Sequence, residues 1–291
     1  MIGNVDKILN LRDGAVSKDT KTIRTEILAG YDLYKDDRGI SQLGELVIEP
    51  QHNKVTLGGI LVLFEKLFGV KSSTINVKTL NELLGIATSG TTTLGTSSTA
   101  FGFDIGIGGC GASYADEKEV LDQENIVKNI IPFRIVDSVD ELGDQKNNYW
   151  FKKKLENGKT AFYIKTFEAE PEIHSLWKDA IDEDADGNEA TGDVSESTRT
   201  EGIETFAEII LRVSAQDLRE YFELFESTGS KYARFNTIGL CVGNKGVITD
   251  NSDRAGEEEF LNTVQFSILN FSNEMLHFEK DLSVIYRVYI S

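Results

Sequence analysis

An acidic stretch of the chain has the residue types and the spacing of a calcium-binding loop. It contains the pattern D-x-D-x-D-G, in which alternating aspartates on a tight loop converge on one point. Hard cations such as Ca²⁺ prefer oxygen ligands, and a carboxylate falls at the twelfth position of the loop. The candidate metal ligands are Asp182, Asp184, Asp186, Asn188 and Asp193.

Two departures from the EF-hand pattern keep a second interpretation open. Glu189 occupies a position that is normally apolar, and Asp193 stands where a bidentate glutamate is usual. The loop also has no partner loop in the chain. A solvated acidic loop therefore explains the same residues, and bound Ca²⁺ would order the loop rather than switch it.

A glycine-rich turn at 106–111 matches G-x-G-x-x-G, the dinucleotide-binding fingerprint, and it follows a predicted strand. That fingerprint also needs a helix facing the pyrophosphate and a second parallel strand ending in an acidic residue. The downstream segment is charged and leads to a strand that contains proline. A glycine turn or bulge is the simpler interpretation, with an enzyme using this turn as a remote alternative.

The remaining reactive residue types predict no catalytic centre. His52, His174 and His277 are isolated, and none stands at metal-ligand spacing from a cysteine or carboxylate; His174 is placed near Trp177 on a short helix. Cys110 and Cys241 lie in small or apolar contexts and are predicted to be buried thiols. The chain contains no serine-hydrolase, zinc-protease or P-loop signature. We therefore expect a protein that is not an enzyme and carries no catalytic residues.

The excess of acidic residues argues against two classes of binding partner, nucleic acids and anionic membranes. The 291 residues include 48 acidic and 30 basic side chains, for a formal net charge of -18. A field of this sign repels nucleic acid and anionic membrane surfaces. No signal peptide and no apolar run long enough to span a bilayer is recognisable. We expect synthesis and retention in the cytoplasm, without nucleic-acid or membrane partners.

The N-terminal third favours helices. Apolar residues recur three and four apart in two groups, Val5 to Leu9 and Ile23 to Leu28, which predicts a short helical arm over 1–40. A short strand is predicted at Leu46–Ile48. The apolar run from Ile60 predicts a buried helix that ends at Gly69, and a further short helix contains Leu80, Leu83 and Leu84.

Beyond residue 100 the apolar period changes towards two, which is typical of strands. Asp217 to Phe225 is predicted to be a short helix, and Gly243–Gly246 a turn. The fold class is therefore mainly β (α+β), an antiparallel β-sandwich-like domain with a helical N-terminal region. The predicted strands lie at 101–107, 131–136, 160–167, 203–213, 235–242, 260–271 and 282–290.

Two regions are predicted from this change of period. Residues 1–87 form an N-terminal arm and helical region, and 88–291 form the antiparallel β domain, with an acidic loop inserted at about 168–202. The hydroxyl-rich loop 88–99 separates the two.

Four parts of the chain carry a resemblance to known proteins. They are FNTIGLCVGNKGVI (235–248), DLSVIYRVYIS (281–291), FGFDIGIGGCGAS (101–113) with IIPFRIV (130–136), and HNKVTLGGILVLFEKLFGV (52–70). These segments, about a third of the chain, resemble virion structural proteins of tailed bacteriophages that are associated with the tail, baseplate or neck or that adapt tail fibres. The resemblance implies an all-β structural domain and no catalytic residues, and the absence of a fibrous repeat favours an adaptor or attachment part.

The expected function is a non-enzymatic structural component of a tailed-phage virion, made in the host cytoplasm. Its expected partners are other virion proteins and further copies of itself, with no resident cofactor unless Ca²⁺ binds. The arm at 1–40, the loop 88–99 and the insertion 179–201 are the expected contact surfaces. The alternative is a β-sandwich module that binds carbohydrate or Ca²⁺.

Overall fold

The computed structural model describes nine stretches of the chain. Thirteen strands within them form two antiparallel sheets, which confirms the mainly antiparallel β fold class. The described stretches are 23–51, 54–68, 78–86, 98–106, 130–178, 202–220, 237–249, 254–270 and 279–290.

Sheet A has five strands in the order β2-β1-β13-β10-β9, and every neighbouring pair is antiparallel. The register pairs Ile23 with Ile290, so strands far apart in sequence lie side by side at its centre. The strands are β1 (Ile23–Lys35), β2 (Ser41–Gln51), β9 (Glu172–Lys178), β10 (Gly202–Val213) and β13 (Leu282–Ile290).

Sheet B has eight strands. Its order is β3-β12-β11-β4-β8-β6, with β5 pairing with β4 and β7 pairing with β8. The strands are β3 (Lys54–Val55), β4 (Thr99–Gly106), β5 (Ile130–Ile131), β6 (Arg134–Val136), β7 (Tyr149–Lys154), β8 (Thr160–Thr166), β11 (Thr237–Val247) and β12 (Glu258–Asn270).

The core lies between the two sheets. Its apolar side chains recur every second residue along each strand, because alternate residues of a strand point to the same face. The hydroxyls of Ser267 and Tyr286 meet at 2.7 Å within it and link sheet B to sheet A. The buried set includes Ile27, Ala29, Tyr31, Ile209, Leu211, Val284 and Tyr286 from sheet A, and Phe103, Ile105, Leu240 and Leu269 from sheet B.

Short helices cover the ends of sheet B. Helix α1 (Leu57–Phe68) begins at Thr56, whose hydroxyl accepts the backbone N–H of Gly59 at 3.0 Å. Helix α2 (Leu80–Leu84) begins with a reciprocal capping box between Thr79 and Glu82. A third helix, α3, covers 215–220, and a 3₁₀ helix covers Val139–Asn148. No helix of the described stretches is long and apolar enough to cross a membrane.

The helical N-terminal region is not supported at its start, where the arm predicted over 1–40 is wrong for the residues that the structure describes. Residues 23–35 form a strand of sheet A, so an arm over 1–40 does not hold for residues 23–40; residues 1–22 lie outside the described stretches. Ile23, Ile27 and Leu28 fit a helical period. The same segment also places Thr25 and Ile27 two apart, and both are buried as strand residues of one face. Backbone pairing with β13 selects the strand over the helix for this segment.

Other predicted elements are mostly confirmed. The strands predicted at 46–48, 160–167, 203–213 and 282–290 are present, as are the helices that contain Ile60 and Leu80. The strand predicted at 260–271 is present as far as Asn270, where the described stretch ends. The predicted strand at 131–136 is two short strands, β5 and β6, on either side of Pro132, which lacks a backbone donor. The turn at Gly243–Gly246 is wrong, because β11 continues through it.

Candidate docking surface

The β1–β2 hairpin is built around Asp36. Its carboxylate accepts the backbone N–H groups of Arg38 at 2.9 Å and of Ile40 at 3.0 Å. Gly39 has a positive φ of 78°, which a glycine adopts without strain. Desolvation raises the pKa of Asp36, but the hydrogen bonds from Ile40 and Arg38 outweigh it and leave this pKa below its usual value. The turn is therefore specified by local side-chain chemistry.

A β-bulge between Ala29 and Gly30 interrupts the pairing of β1 with β2 in the same hairpin. At Gly30 an added Cβ would lie 1.9 Å from the Glu45 carbonyl oxygen, so only glycine permits this approach of β1 to β2. The ammonium of Lys280 lies 3.3 Å from the Asp32 carboxylate and 3.2 Å from that of Glu45. These contacts tie the bulge to the start of β13.

A buried ion network fixes the hairpin onto the outer face of sheet A. Arg287 donates to Glu208 at 3.0 Å and to the Ser41 carbonyl at 2.5 Å. Glu208 in turn accepts the backbone N–H of Ser41 at 3.1 Å. Because Arg287 and Glu208 are both buried, the start of β2 is held by charge-assisted hydrogen bonds that water does not screen.

Apolar contacts complete this anchor. Ile40 packs with Phe206 and Tyr289 in a small buried cluster. Burial, followed by a 2.7 Å hydrogen bond to Glu26, raises the pKa of Tyr289 to about 12. The hairpin is thus attached to β10 and β13 by side chains as well as by the ladder of β1.

Three large apolar side chains remain exposed on this anchored hairpin. Leu33 is 39% exposed, Tyr34 54% and Leu46 44%; we call them the hairpin patch. Leu46 pairs with Gly30, and Leu33 and Tyr34 follow on β1 as consecutive residues, so the hairpin exposes apolar side chains on both of its faces.

The patch borders an open strand edge. Among the described strands, β2 pairs with β1 and no other. Its sequence contains Glu45 and Glu49 and no lysine or arginine. An edge strand offers backbone N–H and C=O groups to a further chain, and the Glu45 carboxylate of this edge is paired with Lys280.

Elsewhere, several buried charged groups are paired within the fold. Asp217 is buried between β8 and the 3₁₀ helix, 2.8 Å from the Lys165 ammonium and 2.6 Å from the Tyr149 hydroxyl. Arg134 lies 4.0 Å from Asp217 and 2.6 Å from Glu220. Burial, and then the charge of Asp217, raises the pKa of Tyr149 well above its usual value.

A second buried carboxyl, Asp104, lies within sheet B. The Gln265 side-chain amide donates to both of its oxygens at 2.7 Å, and the Cys241 thiol lies 3.1 Å from one of them. Complete burial raises the pKa of Asp104 to about 7, although these hydrogen bonds oppose the increase. Burial and the nearby carboxyl also raise the pKa of the Cys241 thiol.

An open cleft of about 220 Å³ lies beside β7. The charges on its wall neutralise one another: Lys152 lies 3.0 Å from Glu257, and Arg254 bridges Glu257 and Glu259 at 2.9 Å each. Lys245 lies 5.4 Å above the Trp150 ring and occupies that aromatic face. The cleft is therefore a surface ion-pair network, and we assign it no ligand.

The predicted calcium-binding loop lies outside the described residues, so the Ca²⁺ prediction stays a prediction. Its five candidate ligands are Asp182, Asp184, Asp186, Asn188 and Asp193. The same holds for Cys110, His52, His277 and the turn after Gly106. Within the described stretches no group of three or more His, Cys, Asp or Glu side chains is placed to hold a metal ion.

Two of the predicted residues are described. Cys241 is a buried free thiol, as expected. The helix predicted around His174 is wrong, because this residue lies on strand β9. Its ring stacks on Phe206 with centroids 5.2 Å apart, and its Nε2 is 3.7 Å from Glu172 and 3.8 Å from Glu208.

Comparison of the chain with protein-family models, with curated proteins and with solved structures finds no match. The β1–β2 hairpin was not predicted from the sequence, which was interpreted as a helical arm over 1–40. The signal was present in the D-D-R-G turn between two segments of alternating apolar residues.

Proposed function

We propose that this chain is a non-enzymatic structural subunit of a tailed-phage virion, in the tail, baseplate or neck, and that it docks neighbouring subunits through sheet A. The observation that carries the proposal is the hairpin patch. Leu33, Tyr34 and Leu46 are exposed on a hairpin that buried ion pairs hold in place. A rigid apolar surface loses little conformational entropy on binding.

The distribution of charged groups supports a structural role. Asp217, Lys165 and Arg134 satisfy one another inside the fold, and the cations of the cleft face carboxylates. Such pairing holds neighbouring strands and helices in place, and the paired groups are then not available to bind a substrate. The strong negative charge of the chain keeps a free subunit soluble until it meets its neighbours.

The virion setting comes from the sequence resemblance. Two of the resembling segments, at 235–248 and 281–291, include β11 and β13, which are central strands of the two sheets. The resemblance therefore concerns the framework of the sandwich and offers no ligand or catalytic residue.

The test is the solution mass of the purified chain across a concentration series, with the particles imaged by electron microscopy. We expect closed symmetric particles for the native chain, and fewer of them for Tyr34→Lys, which puts a charge into the patch. Val247→Lys is the matched control, because Val247 is 48% exposed on β11 of the other sheet. A native monomer that is stabilised by Ca²⁺ would contradict the proposal and favour the binding-module alternative.

A further inference from the structure

We propose that His174 is a pH-sensitive switch, and that protonation of its imidazole releases the end of the β1–β2 hairpin from sheet A. The switch acts within one chain and goes beyond the proposed function; only its effect on docking rests on that function. His174 lies on β9, at the edge of sheet A farthest from β2.

The end of the hairpin turns back across the outer face of sheet A. Two strands, β13 and β10, separate β1 from β9, which places β9 about 14 Å from β1 at about 4.8 Å per strand. The Lys35 ammonium at the end of β1 nevertheless lies 2.7 Å from the Glu172 carboxylate on β9. This contact requires the end of the hairpin to lie over the strands between them, where Ile40 packs against Phe206 of β10.

The bend that allows this path lies between Ala29 and Asp32. The register of β1 with β2 shifts twice, between Ile27 and Ala29 and between Ala29 and Gly30. Asp32 has a positive φ of 58°, a sparsely populated conformation for a residue other than glycine. Such a conformation persists only where surrounding contacts hold it, so the contacts at the far end of the hairpin keep the hairpin closed.

His174 lies beside these contacts and is incompletely paired. Its side chain is 13% exposed, and its Nε2 atom is buried without a hydrogen-bond partner among the described residues. This atom lies 3.7 Å from the Glu172 carboxylate and 3.8 Å from that of Glu208, just beyond hydrogen-bond distance. Both carboxylates bind the hairpin, because Glu172 accepts from Lys35 and Glu208 accepts from the backbone N–H of Ser41. A protonated Nε2 therefore competes with the hairpin for the same two carboxylates.

The charge around the imidazole also favours the open hairpin when the ring is protonated. Glu172 and Glu208 stay beside His174 when the hairpin opens, because all three lie on β9 and β10, whereas Lys35 leaves with the hairpin. The three carboxylates and two cations of the closed cluster have a formal net charge of -1, which becomes -2 without Lys35; they are Glu26, Glu172, Glu208, Lys35 and Arg287. A proton is therefore bound more tightly by the open state.

The other titratable groups near the switch keep their charge between pH 5 and pH 8. Burial raises the pKa of Tyr289 to about 12, so its hydroxyl stays neutral. In the hairpin turn, Asp36 and Arg38 pair with each other at 3.1 Å. Two further charged residues on the same strands, Arg24 of β1 and Glu204 of β10, have opposite formal charges.

The direction of the pH dependence follows by linkage. Because the closed hairpin disfavours the imidazolium, its attachment is complete near pH 8 and is lost as histidine gains a proton towards pH 5. Glu172 remains ionised through this range, since the hydrogen bond from Lys35 lowers its pKa. Release uncovers Phe206 and Tyr289, against which Ile40 packs in the closed state.

Amide hydrogen exchange of the full-length chain, resolved by NMR, tests the switch. The Ser41 amide reports on the contact directly, because its N–H donates to Glu208 at 3.1 Å. Its protection is measured at pH 5 and pH 8 and corrected for the intrinsic exchange rate at each pH. We expect this protection to be about tenfold lower at pH 5, because a hydrogen bond to a charged group is lost. Amides of β11 are the internal reference for unfolding of the whole chain.

Three variants identify the group that responds to pH. His174→Phe keeps a ring that can stack on Phe206 but never carries a charge, so Ser41 should stay protected at both pH values. His174→Lys carries a charge at both pH values, so protection should be low at both, and this variant decides the matter if His174→Phe does not fold. Ile173→Gln is the matched control, because Ile173 is 77% exposed on the opposite face of β9. It should behave as the native chain does.

Two results would overturn the switch. They are equal protection of Ser41 at the two pH values in the native chain, and an unchanged pH dependence in His174→Phe. Either result leaves the proposed function in place, because exchange is measured below the concentration at which the chain associates. A chain that never assembles contradicts the proposed function instead and leaves the switch in place. Far-ultraviolet circular dichroism confirms that each variant is folded.

Discussion

Two buried aspartates show how differently this fold treats the same side chain. Asp217 is 1% exposed and Asp104 is inaccessible. Asp217 meets the cation of Lys165 and lies near that of Arg134. Asp104 meets an amide and a thiol, neither of which carries a positive charge. The two carboxyl groups are equally buried but differ in their surroundings, because only Asp217 has a cation in contact.

The strand positions explain the difference. Lys165 and Arg134 come from β8 and β6, near one end of sheet B, where long side chains reach the start of α3. Asp104 lies on β4 opposite Gly239 of β11, and a Cβ there would be 2.7 Å from the carboxylate. A glycine makes room for the carboxyl at the sheet centre, where the partners are polar and uncharged.

The largest effect is expected from Asp217→Asn. The substitution leaves Lys165 buried with no carboxylate in contact, and removing one partner of a buried pair costs about 3–5 kcal/mol. Urea unfolding at neutral pH measures the change in the free energy of unfolding. The double variant with Lys165→Met should recover part of the loss, because both charges are then removed. A loss below about 1 kcal/mol would show that water reaches this pair.

The second prediction concerns pH and Asp104. Its folded-state pKa of about 7 lies above the ordinary value of 3.8. Between about pH 4 and pH 7 the Asp104 carboxyl group is therefore protonated in the folded state and ionised in the unfolded state. This stabilising contribution is complete below about pH 4 and is lost as the pH rises through 7. Three pKa units set an upper limit on the order of 4 kcal/mol.

Asp104→Asn should remove that pH dependence, because an amide does not ionise. Guanidinium unfolding of both proteins at pH 5 and pH 8 gives the comparison. We expect the native chain to lose more stability than the variant between the two values. Parallel losses would mean that Asp104 ionises without cost and that the contrast with Asp217 is false.

The smallest effect is expected from Glu172→Gln on the surface. Glu172 accepts from Lys35 at 2.7 Å, but both side chains are about half exposed. Exposed pairs contribute about 0–1 kcal/mol, and salt screens them. Thermal unfolding at low and high salt should show a small shift that disappears at high salt. A shift comparable to that of Asp217→Asn would break the distinction between buried and exposed pairs.

Much of the fold follows from hydrophobic periodicity. Strands could be predicted from the alternation of apolar residues in β4, β8, β10 and β13, and the end of α2 from the glycine that follows it. In each of these elements the local residue pattern agrees with the final structure. β1 is misread because its sequence fits both periods. Its conformation is decided by pairing with β13, whose residues lie more than two hundred positions away.

The candidate site is less predictable for a related reason. The motifs of a sequence draw attention to residues with reactive chemistry, whereas the candidate docking surface consists of leucine and tyrosine side chains whose exposure depends on the sheet edge. The buried pairs are equally non-local: Arg287 and Glu208 meet across 79 positions of sequence. Only the Ser214–Asp217 capping pattern at the start of α3 is readable locally.

The pairing of Ile23 with Ile290 has a consequence for synthesis. At 5–20 residues per second, β1 leaves the ribosome on the order of 10–50 s before β13. Until then β1 and β10 lack the strand that separates them at the centre of sheet A. The hairpin anchor also needs Arg287, so its buried ion pairs form only after nearly all of this sequence has been translated. If the hairpin docks neighbours as proposed, a nascent chain binds them only near the end of its synthesis.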